Sequence, residues 1–136
     1  MNEPIWLDVE ILIDLHAEQL ALFGGPDGIH DQGMLESALG RPINKIAHGG
    51  TDLAALAAAY AVGIVRNRPF VDGNKRAAFG AMIVFLGLND IDFLVPPQAA
   101  TAMRLSLAAS ELREKGLTRG IRDDWTVASR QNNSRG

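Results

Sequence analysis

The chain has 136 residues, of which 47% are hydrophobic, so it can build one folded core but has no room for a second domain. Its net charge of −3 argues against a protein that binds nucleic acid or anionic membranes, because such binding depends on clustered lysine and arginine. The absence of cysteine excludes disulfides and thiolate chemistry, and the uncharged runs are too short to cross a bilayer, so we expect a cytoplasmic protein.

The first helix is predicted between Asp8, a candidate N-cap, and the Gly24-Gly25 pair, which should end it. Its apolar residues recur at helical spacing and should form one broad stripe that faces the core: Ile11, Leu12, Leu15, Leu20 and Leu22. His16 lies in the middle of this helix among apolar residues. We therefore expect it to be a satisfied core or groove histidine.

A shorter helix is predicted after the turn that follows. Asp31 is a candidate cap for it, because its carboxylate can accept a hydrogen bond from the first helical turn. The helix should end at Leu39, since Gly40 and Pro42 both disfavour its continuation. The segment 42–50 is then predicted to be a loop.

Two long helices are predicted in the middle of the chain. Thr51 is expected to cap the first, which covers residues 52–65 and contains many alanines. These small side chains let neighbouring helices approach closely, so this helix should lie at the centre of a bundle. The second covers residues 74–88 and is apolar on nearly all sides, which is typical of a buried helix.

The last third of the chain is predicted to hold a short extended segment at 91–95 and two more helices. One helix covers residues 96–116 and opens with two prolines, which the first helical turn accepts; a weaker one covers 118–128. We therefore predict an all-α fold, a compact single-domain bundle of about six helices. The domain should cover residues 1–130 and leave 131–136 as a disordered tail.

The segment between the two central helices, residues 67–76 with the sequence NRPFVDGNKR, has the composition of a phosphate-binding loop. Gly73 and Asn74 tolerate the left-handed backbone of a tight turn. Successive N–H groups in such a turn, together with the N-terminus of the following helix, can form a concave site for an anion. Phe70 is the apolar residue of the segment and should anchor it in the core.

Charged residues of the same segment complete this prediction. Lys75 and Arg76 add two positive charges beside the turn. Asp72 is placed to hold a divalent cation, because Mg²⁺ commonly binds one carboxylate together with phosphate oxygens. The predicted ligand is a nucleoside polyphosphate with Mg²⁺.

Residues 69–76, PFVDGNKR, resemble the signature loop of the Fic/Doc family, in the Lys-Arg form typical of its Doc (death-on-curing) toxins. Fic-type adenylyltransferases carry Gly-Arg after the asparagine instead. The segments 15–18, 28–39 and 41–42 also resemble the Doc pattern, so the resemblance covers most of the chain from about residue 7 to about residue 117. It implies the all-α Fic/Doc fold.

The resemblance also implies an activity and partners. Doc-type toxins transfer the γ-phosphoryl group of ATP to a threonine hydroxyl of elongation factor Tu and thereby arrest translation. Each has a cognate antitoxin, whose disordered C-terminal segment folds as a helix in a groove of the toxin. We therefore expect ATP and Mg²⁺ as cofactors, and elongation factor Tu and an antitoxin as partners.

Site residues follow from the positions that match the family's signature. Asp72 and Arg76 are expected to act in catalysis, and Asp72 to be the metal ligand. The nucleotide is expected to contact a larger set: Gly73, Asn74, Lys75, Arg76 and, at a basic position seen in Doc proteins, Arg66.

One position departs from the family pattern. The signature begins with a histidine two residues before the phenylalanine, and this histidine takes the proton of the target hydroxyl; here the position is Arg68. A guanidinium stays protonated at working pH and cannot act as a base. We expect lost or strongly reduced activity, either through an inactivating substitution in a recovered clone or through natural divergence.

Two other functions stay open at this point. The first is Fic-type adenylylation of a protein hydroxyl, although Lys75 in place of glycine argues against it. The second is a catalytically silent module that binds the antitoxin or a nucleotide. None of the three histidines, His16, His30 and His48, has a placement that predicts replacement of the missing base.

Overall fold

The computed structural model describes residues 3–47, 52–93 and 114–127. These residues form five helices and two short strands: α1 (Val9–Phe23), α2 (Gln32–Ala47), α3 (Leu53–Asn67), α4 (Asn74–Leu88), β1 (Ile91–Phe93), α5 (Glu114–Asp124) and β2 (Trp125–Val127). The prediction of an all-α fold is confirmed. The helix predicted at 96–116 lies outside the described residues except for its last three, which belong to α5. His48 and the predicted tail also lie outside them.

Aspartates begin the first three helices. Asp8 accepts a hydrogen bond from the N–H three residues on, as predicted, and Asp31 does the same for α2. The N-cap of α3 is Asp52 and not the predicted Thr51, so this helix begins one residue late, at Leu53. An aspartate carboxylate caps as well as a threonine hydroxyl does, and sequence alone does not choose between neighbouring caps.

Helix α2 continues through Pro42 to Ala47, so the predictions of its end at Leu39 and of a loop at 42–50 were wrong. Pro42 is buried, and its ring leaves the carbonyl of Ala38 without the usual helical partner. That carbonyl faces Gly63 of α3, where a Cβ atom would lie only 3.3 Å from the oxygen. The close packing of α2 on α3 outweighs the lost hydrogen bond.

Helix α3 is the centre of the fold, as its alanine content predicted. It packs against α2, α4 and α5, and ten of its residues are buried. Helix α4 is buried over most of its surface, although Ile83 is exposed. Helix α1 packs on α4 through a side that includes Leu12 and His16, so Leu22, which is 70% exposed, does not belong to the predicted stripe.

A two-stranded antiparallel sheet follows the central helices. Strand β1, predicted as an extended segment, pairs with β2 in a register that places Ile91 opposite Val127. The prediction of a helix over 118–128 was therefore wrong, because α5 ends at Asp124. Residues 125–127 are Trp-Thr-Val, side chains that favour strands once a pairing partner is available.

Ion pairs connect α5 to the rest of the bundle. Glu114 accepts hydrogen bonds from Arg41 at 2.5 Å and from Lys45 at 3.0 Å, both on α2. Arg122 pairs with Asp52 at the start of α3. No helix in the described part of the chain is long and apolar enough to span a membrane.

Candidate functional site

The signature loop, residues 67–76, joins α3 to α4 and is held by backbone hydrogen bonds to the segment between α1 and α2. The N–H of His30 donates to the carbonyl of Pro69 at 2.7 Å, and the N–H of Val71 donates to the carbonyl of Gly28 at 3.0 Å. These bonds form an isolated bridge between Ile29 and Phe70. The sequence did not predict this pairing, because one bridge leaves no alternation to detect.

Asn74 fixes the loop from within. Its side-chain oxygen accepts from the N–H of Phe70 at 3.0 Å, and its side-chain nitrogen donates to the carbonyl of Phe70 at 2.9 Å. Phe70 itself is buried, as expected for an anchor. Both ends of the Asn74 amide are therefore used to close the loop, which is one of the two roles that its position allowed.

His16 supports the loop from below. It is only 2% exposed, its ring lies flat on the Phe70 ring at 3.8 Å between centroids, and its Nε2 is 2.7 Å from the carbonyl oxygen of Asp72. We predicted a satisfied core or groove histidine, which is confirmed, but its contact with the signature loop was missed. The available signal was a histidine four residues after Leu12 on the buried side of α1.

Two residues of the loop have left-handed backbone. Arg68 ends α3 at φ 47° and ψ 56°, and its N–H donates to the carbonyl of Ile64. Gly73 begins α4 at φ 78°, and no side chain caps this helix. The N–H groups of the first turn of α4 are therefore available to a ligand.

A cavity of about 560 Å³ opens at the loop. All the site residues predicted from the sequence line it, together with two valines: Val65, Arg66, Arg68, Val71, Asp72, Gly73, Asn74, Lys75 and Arg76. Within the ranges that the structure describes, none of the four cationic side chains forms an ion pair. Unpaired positive charge is thus concentrated around one cavity of a chain whose net charge is −3.

Arg76 has a neighbour that the sequence did not reveal. The centre of its guanidinium lies 5.0 Å from the centroid of the Phe23 ring, so the aromatic face orients the charge. Its Nε is buried and has no hydrogen-bond partner among the described residues. Phe23 is itself 62% exposed, which is unusual for a large apolar side chain unless it serves a surface feature.

Asp72 supplies the one carboxylate that lines the cavity. Gly25, at φ 120°, lies against it, and a side chain there would collide with its Oδ2. In the described ranges no group of three or more acidic, histidine or cysteine residues could hold a metal ion. One carboxylate fits Mg²⁺ only when the ion arrives with phosphate oxygens and keeps several waters.

Histidine is absent from the lining of this cavity as far as the structure describes it, since neither His16 nor His30 belongs to it. Two ionisable groups with shifted pKa values also lie outside it. Burial raises the pKa of Tyr60 to about 12, and the hydroxyl accepts a hydrogen bond from the N–H of Leu7. Burial alone would raise the pKa of Glu114, but hydrogen bonds and charges from α2 outweigh it and lower that pKa.

Comparisons with known proteins agree with the geometry. The model of the Fic/DOC family matches residues 6–86, which include the signature loop and both helices beside it. Protein kinase doc of Escherichia phage P1 is 35% identical over 92 residues, 67% of this chain and 73% of that protein. Toxin Doc of Mycolicibacterium smegmatis is 38% identical over 73 residues, 51% of this chain and 55% of that toxin. The chain belongs to the Fic/DOC family.

Proposed function

We propose that this chain is a Doc-like toxin whose signature-loop cavity binds ATP as its Mg²⁺ complex. The observation that carries the proposal is the set of four unpaired cationic side chains around one cavity at the N-terminus of α4. A volume of about 560 Å³ lies within the usual range for a small-molecule site. The relatives named as a protein kinase and a toxin support the same assignment.

The residues divide the work by charge. Lys75, Arg76 and the N–H groups of the loop neutralise the phosphates, and Arg66 adds a charge at the rim. Asp72 holds Mg²⁺, which supplies further neutralisation of the phosphates when it is bound. Asn74 keeps the loop closed through Phe70 while these contacts form.

The proposed reaction is phosphorylation of a threonine hydroxyl on elongation factor Tu, with translation arrest as the result. Arg68 occupies the place where the family carries its general base, and its guanidinium cannot take the hydroxyl proton. Phosphoryl transfer depends mainly on positioning and electrostatics, so loss of the base should lower the rate by roughly 10²- to 10⁴-fold and leave ATP bound. In this chain binding and turnover separate.

Arg68 is also the observation that favours a second candidate function, a silent binding module. Its exposed side chain lines the cavity and adds a positive charge. Such a chain would bind nucleotide and its cognate antitoxin, whose C-terminal segment is proposed to fold as a helix in a groove, without modifying a target.

A transfer assay tests these functions. Purified elongation factor Tu and Mg²⁺ are incubated with this chain or its Arg68→His form, and with ATP labelled at the γ- or the α-phosphate. We expect γ-label on the target with Arg68→His and little with the unchanged chain. Label from the α-position would move the activity to adenylylation, and no transfer by a folded Arg68→His chain would leave the binding module.

A further inference from the structure

His16 is the one charged or polar side chain that the described core buries, and the proposed reaction gives it no role. Its hydrogen bond also defines its protonation pattern. A backbone carbonyl can only accept, so the Nε2 atom that lies 2.7 Å from the Asp72 oxygen carries a hydrogen and donates it. The imidazole therefore pulls the Asp72 carbonyl toward the interior of the protein.

The peptide between Asp72 and Gly73 is trans, as are all described peptides. In a trans peptide the carbonyl oxygen and the next N–H point in opposite directions. When the Asp72 carbonyl points to His16, the N–H of Gly73 points away from the interior, on the side of the cavity that Gly73 lines. This N–H has no hydrogen-bond partner among the described residues.

The orientation of this peptide needs an external constraint. Gly73 has a φ of 78°, and glycine adopts positive and negative φ with similar ease. A peptide that precedes such a glycine can turn over between two common turn types, which reverses its N–H and C=O. The His16 hydrogen bond selects one orientation, and the stack of His16 on Phe70 keeps the imidazole in place.

We infer that His16 is a positioning residue that holds the Gly73 N–H toward the cavity, where it donates to a phosphate oxygen of the nucleotide. The inference rests on the proposed ATP site. It assigns to a buried residue of α1 the orientation of a loop donor 57 positions later. His16 touches neither the nucleotide nor the target hydroxyl in this arrangement.

The test compares His16→Gln with His16→Asn in the full chain. Both lose the ring that stacks on Phe70, but the glutamine amide nitrogen reaches the position of Nε2 and the asparagine amide does not. With ATP and Mg²⁺ in a calorimetric titration, we expect His16→Asn to bind about tenfold more weakly and His16→Gln to stay within about threefold of the unchanged chain. Glu18→Gln, an exposed change on α1, is the control and should bind like the unchanged chain.

The outcomes separate this inference from the proposed function. Equal affinities of both His16 variants, whether equal to the unchanged chain or equally weakened, would overturn the positioning role while the ATP site stands. No ATP binding by the unchanged chain would overturn both. A second measurement does not need the variants to fold: the amide proton of Gly73 in the unchanged chain should shift strongly on addition of ATP and Mg²⁺, and a Gly73 signal that stays in place while ATP binds would refute the inference.

Discussion

Replacement of Arg68 by glycine measures the cost of the left-handed turn that begins the signature loop. Arg68 has φ 47° and ψ 56°, a conformation that costs residues with a Cβ about 1–2 kcal/mol. Glycine avoids this cost and keeps the N–H that donates to Ile64, but it gains about 0.5–1 kcal/mol of conformational freedom in the unfolded chain. We expect a net stabilisation of about 1 kcal/mol.

Arg66 provides a matched control. It also lines the cavity and is exposed, but it lies inside α3, where glycine costs about 1 kcal/mol relative to a good helix former. Both substitutions remove one positive charge from the same cluster, so changes in charge repulsion largely cancel in the comparison. The two variants should therefore differ by about 2 kcal/mol in their free energies of unfolding.

Thermal unfolding followed by circular dichroism provides the assay, with urea unfolding as a check. For a chain of this length, 1 kcal/mol corresponds to about 3–4 °C in Tm. Arg68→Gly should melt about 3–4 °C above the unchanged chain, and Arg66→Gly about the same amount below it. A fall in Tm for Arg68→Gly comparable to that of Arg66→Gly would show that the reasoning about the backbone is wrong.

Three further predictions use other features of the site and the core. Phe23→Leu removes the aromatic face beneath the Arg76 guanidinium and should weaken ATP binding about two- to fivefold in a titration at low salt. Gly25→Ala should lower the Tm and the Mg²⁺-dependent part of ATP affinity more than Gly24→Ala does, because both have positive φ but only Gly25 lies against the carboxylate of Asp72. Burial raises the pKa of Tyr60 from 10.0 to about 12, so the stability that comes from the protonated phenol is complete below pH 10 and is lost as the pH rises toward 12; urea unfolding across this range should show the decline.

Local chemistry explains which elements were predictable. Asp8 and Gly24 bound α1 through contacts within a few residues, and the composition of the signature loop indicated an anion site without any structure. Long-range packing explains the errors. Pro42 stays inside α2 because of a close contact with Gly63, and residues 125–127 become a strand because β1 is present to pair with them.

The supports of the site were hidden for the same reason. His16 lies 56 positions from its hydrogen-bond partner, and Phe23 meets Arg76 from the end of another helix. Neither residue belongs to a spacing pattern that would connect it with the loop. The residues that line the cavity were therefore predictable from one segment, whereas the residues that orient them required the fold.

The attachment of α1 has a consequence for partial unfolding. Helix α1 packs mainly on α4, whereas α3 is enclosed by three helices, so α1 should detach at a lower free energy than the centre of the bundle opens. Detachment would take away the imidazole beneath Phe70 and the glycine backbone beside Asp72 at once. The signature loop and α1 should therefore exchange their amide hydrogens as one cooperative unit, and the site would be lost while the α3 core remains protected.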